Sequence, residues 1–286
     1  MTTTALPTTA KSRPVLVANQ RRRTLTERLL SANAWLVFIF FYVPIAVLIL
    51  FSFNSNRYVS QWEGFSLEWY AKLLQNDAIG LALYNSMVVA GVSTVISTVM
   101  GTLVAVGMER FDFRGKVSLD SVLYLPIIIP DIAMAVMLLL FFVQAANFLG
   151  LFGIRFSLGL TTIILAHVAF NISYVAVVVR ARLAGFDKAL EEASADLYAN
   201  EWDTFRYVTL PLIMPGIMGG ALMAFTLSLD DFVVTFFTSG PGSTTLPLHI
   251  YSMVKTGITP EINALSTLML FASIVLVLAS LALQRR

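Results

Sequence analysis

Long apolar runs separated by short polar segments organise this chain. Six of them stand out, at about 34–53, 81–108, 117–144, 159–179, 211–238 and 262–284. Each has at least the ~20 residues a helix needs to cross a bilayer, so the pattern predicts an all-α polytopic membrane protein with six transmembrane helices. The third and fifth runs are long and contain Pro, the fifth with Gly as well, and are expected to tilt or break. The second, "YNSMVVAGVSTVISTVMGTLVAVGM", is rich in small residues, which let helix backbones approach closely. Gly216 and Gly220 repeat that small-residue spacing in the fifth run.

The polar segments carry weaker periodicities. In the first connection, Leu67, Tyr70, Leu73 and Leu74 fall at helical spacing, which predicts a short amphipathic helix. Trp62 and Trp69 beside it suit a position at the membrane interface. The fourth connection, "RARLAGFDKALEEASADLYANEWDTFRYVTLP", repeats an apolar position at Phe186, Leu190, Ala193 and Leu197. Asp187 is placed to cap one helix and Asn200 a second. Glu201 and Asp203 then fall in a first turn, where the helix dipole favours acids. This connection is therefore expected to form two short helices with a sharp bend between them.

Composition agrees with the hydropathy pattern. Hydrophobic residues make up 57% of the 286 and charged residues 13%, with a mean hydropathy of +0.79. Soluble domains carry about 25% charged residues, so a soluble enzyme is excluded. There is no cysteine, and the two histidines, His167 and His249, lie far apart, so no metal cluster is expected. No P-loop lysine motif and no nucleophile–histidine set is visible, so no catalytic residue and no nucleic-acid role is expected.

Charge placement sets the expected orientation. All but four of the 19 lysines and arginines lie in the N-terminal tail, the second and fourth connections and the C-terminus. The exceptions are Arg57, Lys72, Arg155 and Lys255. By the positive-inside rule both termini and those two connections are cytoplasmic. Residues 1–30 read as a disordered basic tail, and residues 31–286 as the transmembrane domain. The first span is too long for a signal peptide and lacks a small-x-small cleavage site, so it reads as an uncleaved anchor.

The fourth connection also carries the most specific motif. "EEASADLYANEWDTFRYVTLP" resembles the signature loop of the membrane subunits of type I ABC importers. That pattern runs Glu-Ala-Ala, three residues, Gly, nine residues, Ile, one residue, Leu-Pro. Glu192, Ala193, Leu210 and Pro211 match it, while Ser194 replaces the second Ala and Val208 the Ile. Tyr198 stands where the family has Gly, and Asn200, which tolerates left-handed backbone, is expected to take over part of the bend. The resemblance extends over about residues 35–284. Within the family it is strongest to polyamine (spermidine/putrescine) permeases, through runs such as "LPIIIPDIAMAVMLLLFF" and "FTLSLDDFVVTFFTSGPGSTTLPLHIYSMV".

The resemblance implies the type I ABC importer permease (MetI-like) fold in a bacterial inner membrane. Its implied partners are an ABC ATPase dimer, a second homologous permease subunit and a periplasmic binding protein, with lipid around the spans. ATP and Mg would sit on the ATPase, and this chain would bind no cofactor. The loop at 186–210 would be the coupling element, contacting the ATPase through 188–203. Glu191, Glu192, Ala193, Ser194, Asp196, Leu197 and Tyr198 are its candidate contact residues.

Three acids within the apolar runs, Asp131, Asp230 and Asp231, require an account, because a carboxylate in hydrocarbon costs about 2.5–3.5 kcal/mol even on insertion scales. At ~1.5 Å per residue, Asp131 lies ~21 Å and Asp230 ~28 Å from the cytoplasmic start of their spans, and His167 ~12 Å below the outer start of its own. All fall in the outer half of a ~30 Å core. His167, Asn171 and Tyr174 share one side of the fourth span. Ser228, Asp231 and Thr235 share one side of the fifth, with Asp230 ~100° away. These residues are the expected substrate path, with Asp231 foremost and Asp230 expected to hold the helix end against "SGPG". Acids without interior Lys or Arg favour a cation over an anion, with Tyr174 and Phe237 as candidate cation–π rings. Another organic cation, an opine, ferric iron or an anion, or an ion-coupled secondary transporter, remain the alternatives.

Overall fold

In the computed structural model, residues 25–57, 61–257 and 259–284 are described. Residues 1–24, most of the expected disordered tail, lie outside that range. The described chain divides into two units, one ending at Val47 and one beginning at Leu48.

The first unit contributes α1 (Leu25–Phe51), whose last turn belongs to the second. It is helical from the first described residue, Leu25, inside the expected 1–30 tail, and Leu29 and Leu30 extend the apolar run backwards. None of its residues is buried.

The second unit holds α2 (Glu68–Gln75), α3 (Asp77–Arg110), α4 (Lys116–Ile128), α5 (Asp131–Gly150) and α6 (Leu160–Leu183). After these come α7 (Ala189–Asp196), α8 (Glu201–Thr204), a π-helical turn (Phe205–Thr209) and α9 (Leu210–Asp230). The chain ends with α10 (Val233–Thr238), α11 (Leu246–Thr256) and α12 (Pro260–Gln284). Among the described residues, five helical stretches are long and apolar enough to cross a membrane: α1, α3, α5, α6 and the run from Glu201 to Asp230. Helix α12 contains a shorter apolar stretch, Pro260–Val275.

Helices α3, α6 and α9 form the centre, and glycine lets them meet. A Cβ on Gly101 would stand 2.8 Å from Val175 Cβ and 2.9 Å from the Ile172 carbonyl. One on Gly220 would stand 3.3 Å from Val175 Cα, and one on Gly216 2.8 Å from Arg182 Cβ. The small residues of the second span and the Gly216/Gly220 pair thus mark backbone contacts, as their spacing suggests. Around them Ala105, Met108, Val175, Ala176, Val179, Ile213 and Ala224 are buried together.

The third and fifth spans break, at different kinds of residue, whereas α1 runs unbroken through Pro44. Between α4 and α5, Ile129 and Pro130 are extended (ψ 135° and 136°), because a residue before proline avoids the helical region and Pro130 has no N–H to donate. The expected 117–144 span is therefore two helices and runs on to Gly150. The fifth span does not break at its prolines. It breaks at Asp231, which is extended (ψ 126°), and restarts as α10.

Outside the spans, α2 forms where its periodicity predicts, but with a different buried face. Trp69 and Leu73 are buried, whereas Leu74 is 88% exposed. Trp69 donates its indole N–H to the Asn54 carbonyl at 2.7 Å, so it anchors the first loop to the protein and is not a surface anchor.

Candidate coupling loop and intramembrane polar site

The fourth connection folds into a two-helix knob. Asp187 accepts from the Ala189 N–H at 3.0 Å and caps α7, and Asn200 accepts from the Asp203 N–H at 2.9 Å and caps α8. Between the helices, Tyr198 adopts φ 64°. It is the one non-glycine residue with positive φ among those described. The expectation that Asn200 would supply the left-handed bend is therefore corrected. Asn200 is extended (φ −76°, ψ 169°), because an N-cap needs that conformation to aim its side chain at the next turn. The tyrosine itself takes the left-handed backbone that glycine adopts at least cost.

The knob is fastened to the span that follows it. Pro211 lacks the N–H that would bond the Tyr207 carbonyl, and its ring would crowd that carbonyl. The backbone widens into the π-turn, and Leu210 N–H donates to the Phe205 carbonyl instead. The motif's Leu-Pro pair thus shapes the entry to α9. The Ser194 and Thr204 hydroxyls bond at 2.9 Å and close α7 onto α8.

A three-residue cluster then joins the knob to two central helices. Arg110, at the end of α3, pairs with Glu191 of α7 and donates to Thr209 Oγ1 at 2.9 Å, while the Thr209 hydroxyl donates to Glu191 Oε1 at 2.5 Å. Partly exposed pairs contribute little to stability, about 0–1 kcal/mol. Their value here is geometric, since all three elements are held at one point. The cluster borders a cavity of about 440 Å³ between the ends of α3 and α6 and the knob, lined in part by Glu109, Arg110, Phe186, Lys188, Glu191 and Glu201. Glu191 faces inward, whereas Glu192, Ala193 and Asp196 are exposed. Leu197 and Tyr198 are 81% and 98% exposed, and Trp202 is 65% exposed, so the tip presents apolar surface. Neither the Arg110–Glu191–Thr209 cluster nor the pairing of Arg180 with Asp120 is foreseen from the sequence, because their partners lie 60 or more residues apart along the chain for every contact but Thr209–Glu191.

Within the membrane region the structure separates the expected substrate-path residues into two groups. His167, Asn171 and Asp231 come together between α6 and the α9–α10 break. Asp231 Oδ2 accepts from Thr235 N–H at 2.8 Å and from Thr235 Oγ1 at 2.9 Å, and Oδ1 accepts from Val234 N–H at 3.3 Å. His167 Nε2 stands 3.3 Å from Asp231 Oδ2 and 3.1 Å from Thr235 Oγ1. One turn along α6, Asn171 Nδ2 donates to Ser228 Oγ at 2.8 Å, and Ser228 meets Ser93 of α3 at 3.0 Å. His167 and Asn171 are fully buried. Asp231 is thus the cap of α10 and the clasp of the break, and D-x-x-x-T after a helical run is the capping signal that could have revealed it.

Asp131, Asp230 and Tyr174 lie outside this network. Asp131 is the first residue of α5 and Asp230 the last of α9, and both carboxylates are exposed. Tyr174 packs with Phe170 and Phe237 in an apolar cluster. The "SGPG" segment bonds elsewhere than Asp230. Asn85 Nδ2 donates to the Gly242 and Thr244 carbonyls at 3.2 and 3.0 Å, and Thr162 Oγ1 donates to the Thr238 carbonyl at 2.7 Å. A Cβ on Gly240 would fall 2.0 Å from the Leu158 carbonyl oxygen, so only glycine fits that crossing.

Comparison with known proteins places this architecture. Residues 97–286 match the family described as binding-protein-dependent transport system inner membrane component. The chain is 42% identical over 256 residues to a spermidine/putrescine transport system permease protein, PotC, of Haemophilus influenzae, covering 90% of this chain and 96% of that one. It is 44% identical over 236 residues to a putrescine transport system permease protein, PotI, of Escherichia coli, covering 82% and 83%. Among solved structures, a bacterial ABC transporter that imports the acidic polysaccharide alginate shares the fold at TM-score 0.73 and 18% identity, covering 92% of this chain and 95% of that one. The expected all-helical ABC importer permease fold holds, with five of the six expected spans long and apolar enough to cross a membrane among the described residues, and the ion-coupled secondary transporter is set aside. The chain is a membrane-embedded transport subunit and not an enzyme, and it belongs to the family of binding-protein-dependent transport system inner-membrane components.

Proposed function

We propose that this chain is the permease subunit of an ATP-driven importer for a polyamine cation of the putrescine or spermidine kind. The observation that carries the reading is the knob. Its exposed apolar tip fits a partner's groove, and its base is tied through Arg110, Glu191 and Thr209 to α3 and α9. A groove on an ATPase that closes around the tip would pull on both central helices at once. The polyamine part is supported by the two relatives' names and by the exposed acids Asp131 and Asp230 at helix breaks. Asp231, with His167 and Asn171, positions the break that carries Asp230.

The assembly consists of this chain, a second homologous permease subunit, an ATPase dimer that holds ATP and Mg, and a periplasmic binding protein. Arg110, Lys116, Arg180 and Lys188 gather at the knob's end of the second unit, so that end faces the cytoplasm, and the basic residues at both ends of the sequence put the termini on the cytoplasmic side as well.

The test is reconstitution of the complete importer in proteoliposomes. Wild type should take up putrescine only with ATP and loaded binding protein. Glu192→Lys, which reverses a charge on the exposed side of α7, should abolish retention of the ATPase. Asp131→Asn and Asp230→Asn should slow uptake by about tenfold each, the loss of one charge-assisted contact. Unchanged uptake in both Asn variants refutes the substrate path, and full ATPase retention by Glu192→Lys refutes the coupling role.

A further inference from the structure

Three aromatic rings that the polar network does not use meet beside the α9–α10 break. Phe232, in the break, packs against Tyr251 of α11 with ring centroids 4.5 Å apart and the planes tilted by 42°. Phe236, one turn along α10, lies 5.5 Å from Phe232 and 6.0 Å from Tyr251, edge-on to the latter at 81°. Asp230 ends the helix two residues before Phe232. An exposed carboxylate and an aromatic cluster therefore sit on one turn, which Asp231 holds rigid through Val234 and Thr235.

A cation is already seated there. Lys255 Nζ stands 4.8 Å from the Tyr251 ring centroid, one helical turn along α11. Among the described residues no carboxylate pairs with Lys255. The contrast is Lys72, which lies over Trp69 at 4.4 Å but is also paired with Glu68 at 2.7 Å. An ammonium held by a ring face alone is held weakly and exchanges with any other ammonium that reaches the ring.

We propose that Phe232, Phe236 and Tyr251 form an ammonium-binding site for the transported cation, and that Lys255 is its resident occupant until substrate displaces it. The inference rests on the polyamine reading and assigns a residue-level site to it. A linear diamine suits the site on two counts. One ammonium takes the place of Lys255 over Tyr251, and the methylene stem lies along the phenylalanine rings, while Asp230 offers a charge to the second ammonium. The ring faces are electron-rich and attract cations, not anions. Lys255 keeps the aromatic face filled when no substrate is present.

The test uses the complete importer in proteoliposomes with saturating, putrescine-loaded binding protein, so that recognition by the binding protein is constant. Lys255→Gln removes the competitor and should raise maximal putrescine uptake ~3-fold or more, the scale of one cation–π contact. In a Tyr251→Leu background the same substitution should change uptake by less than half that factor, while Tyr251→Phe should preserve the full gain. Should Tyr251→Leu not assemble, Phe232→Leu serves as the ring variant. No gain from Lys255→Gln overturns the proposal. An equal gain with and without the ring also overturns it, since that is the result of relieving a general positive field. Wild-type putrescine uptake with such an additive pattern overturns this inference alone, whereas absence of uptake of any polyamine by wild type overturns the substrate reading with it.

Discussion

Replacing Tyr198 with glycine should make the two-helix knob more rigid, although it removes a large side chain at the bend. The tyrosine sits at φ 64°, where a non-glycine residue costs roughly 1–2 kcal/mol because its Cβ crowds the neighbouring carbonyl. The ring is 98% exposed, so its loss forfeits no burial within this chain. Glycine gives back part of the gain, about 0.5–1 kcal/mol, through greater freedom when the loop opens. The net expected effect is ~0.5–1 kcal/mol in favour of the closed loop, or about a 2- to 5-fold reduction in local opening. Two amides report on this bend: Tyr198 N–H, bonded to the Ala195 carbonyl at 2.9 Å, and Ala199 N–H, bonded to the Ser194 carbonyl at 3.2 Å. Hydrogen exchange across residues 194–204 should slow by that factor in Tyr198→Gly and stay near wild type in Tyr198→Ala, which keeps the strain and loses only the ring. Faster or unchanged exchange in Tyr198→Gly would refute the strain argument. ATPase stimulation separates the second role of the residue. If the exposed ring contacts the ATPase, both variants lose coupling equally, although one has the more ordered loop.

Other substitutions test the packing and the clasp. Gly101→Ala should destabilise the protein by about 1–3 kcal/mol, because the new Cβ meets Val175 Cβ at 2.8 Å and a backbone carbonyl at 2.9 Å. Gly80→Ala in the same helix meets nothing within 4 Å and should be neutral or stabilising, and thermal unfolding in detergent compares the two. Asp231→Ala leaves the start of α10 without its acceptor and should cost about 1–2 kcal/mol, while Asp231→Asn, which keeps an acceptor oxygen, should cost less. An equal loss in both would assign the effect to charge and not to capping. Thr209→Val removes the hydroxyl shared by Arg110 and Glu191 and should lower the uptake obtained per ATP hydrolysed, with little change in melting temperature.

Hydropathy alone determined the class of molecule, the number of long apolar runs and the places where small residues let helices meet. These properties are legible because lipid imposes the same demand on every residue of a span, whatever its neighbours. The bend of the coupling loop was also legible, through cap residues Asp187 and Asn200 acting on amides two or three positions away. Tertiary structure decided which residue bears each role. Asn200 was a reasonable candidate for the left-handed turn, but its capping bond demands extended backbone, and the strain falls on Tyr198. A helical wheel places Asp231 beside Ser228 and Thr235, yet it cannot show that the helix stops there and that the carboxylate turns back to cap its own chain. The Arg110–Glu191–Thr209 cluster draws on three elements whose ends meet only once α3, α6 and α9 have packed on Gly101, Gly216 and Gly220. Local patterns report what each segment needs from its solvent, and only the packed helices report what each side chain receives from the others.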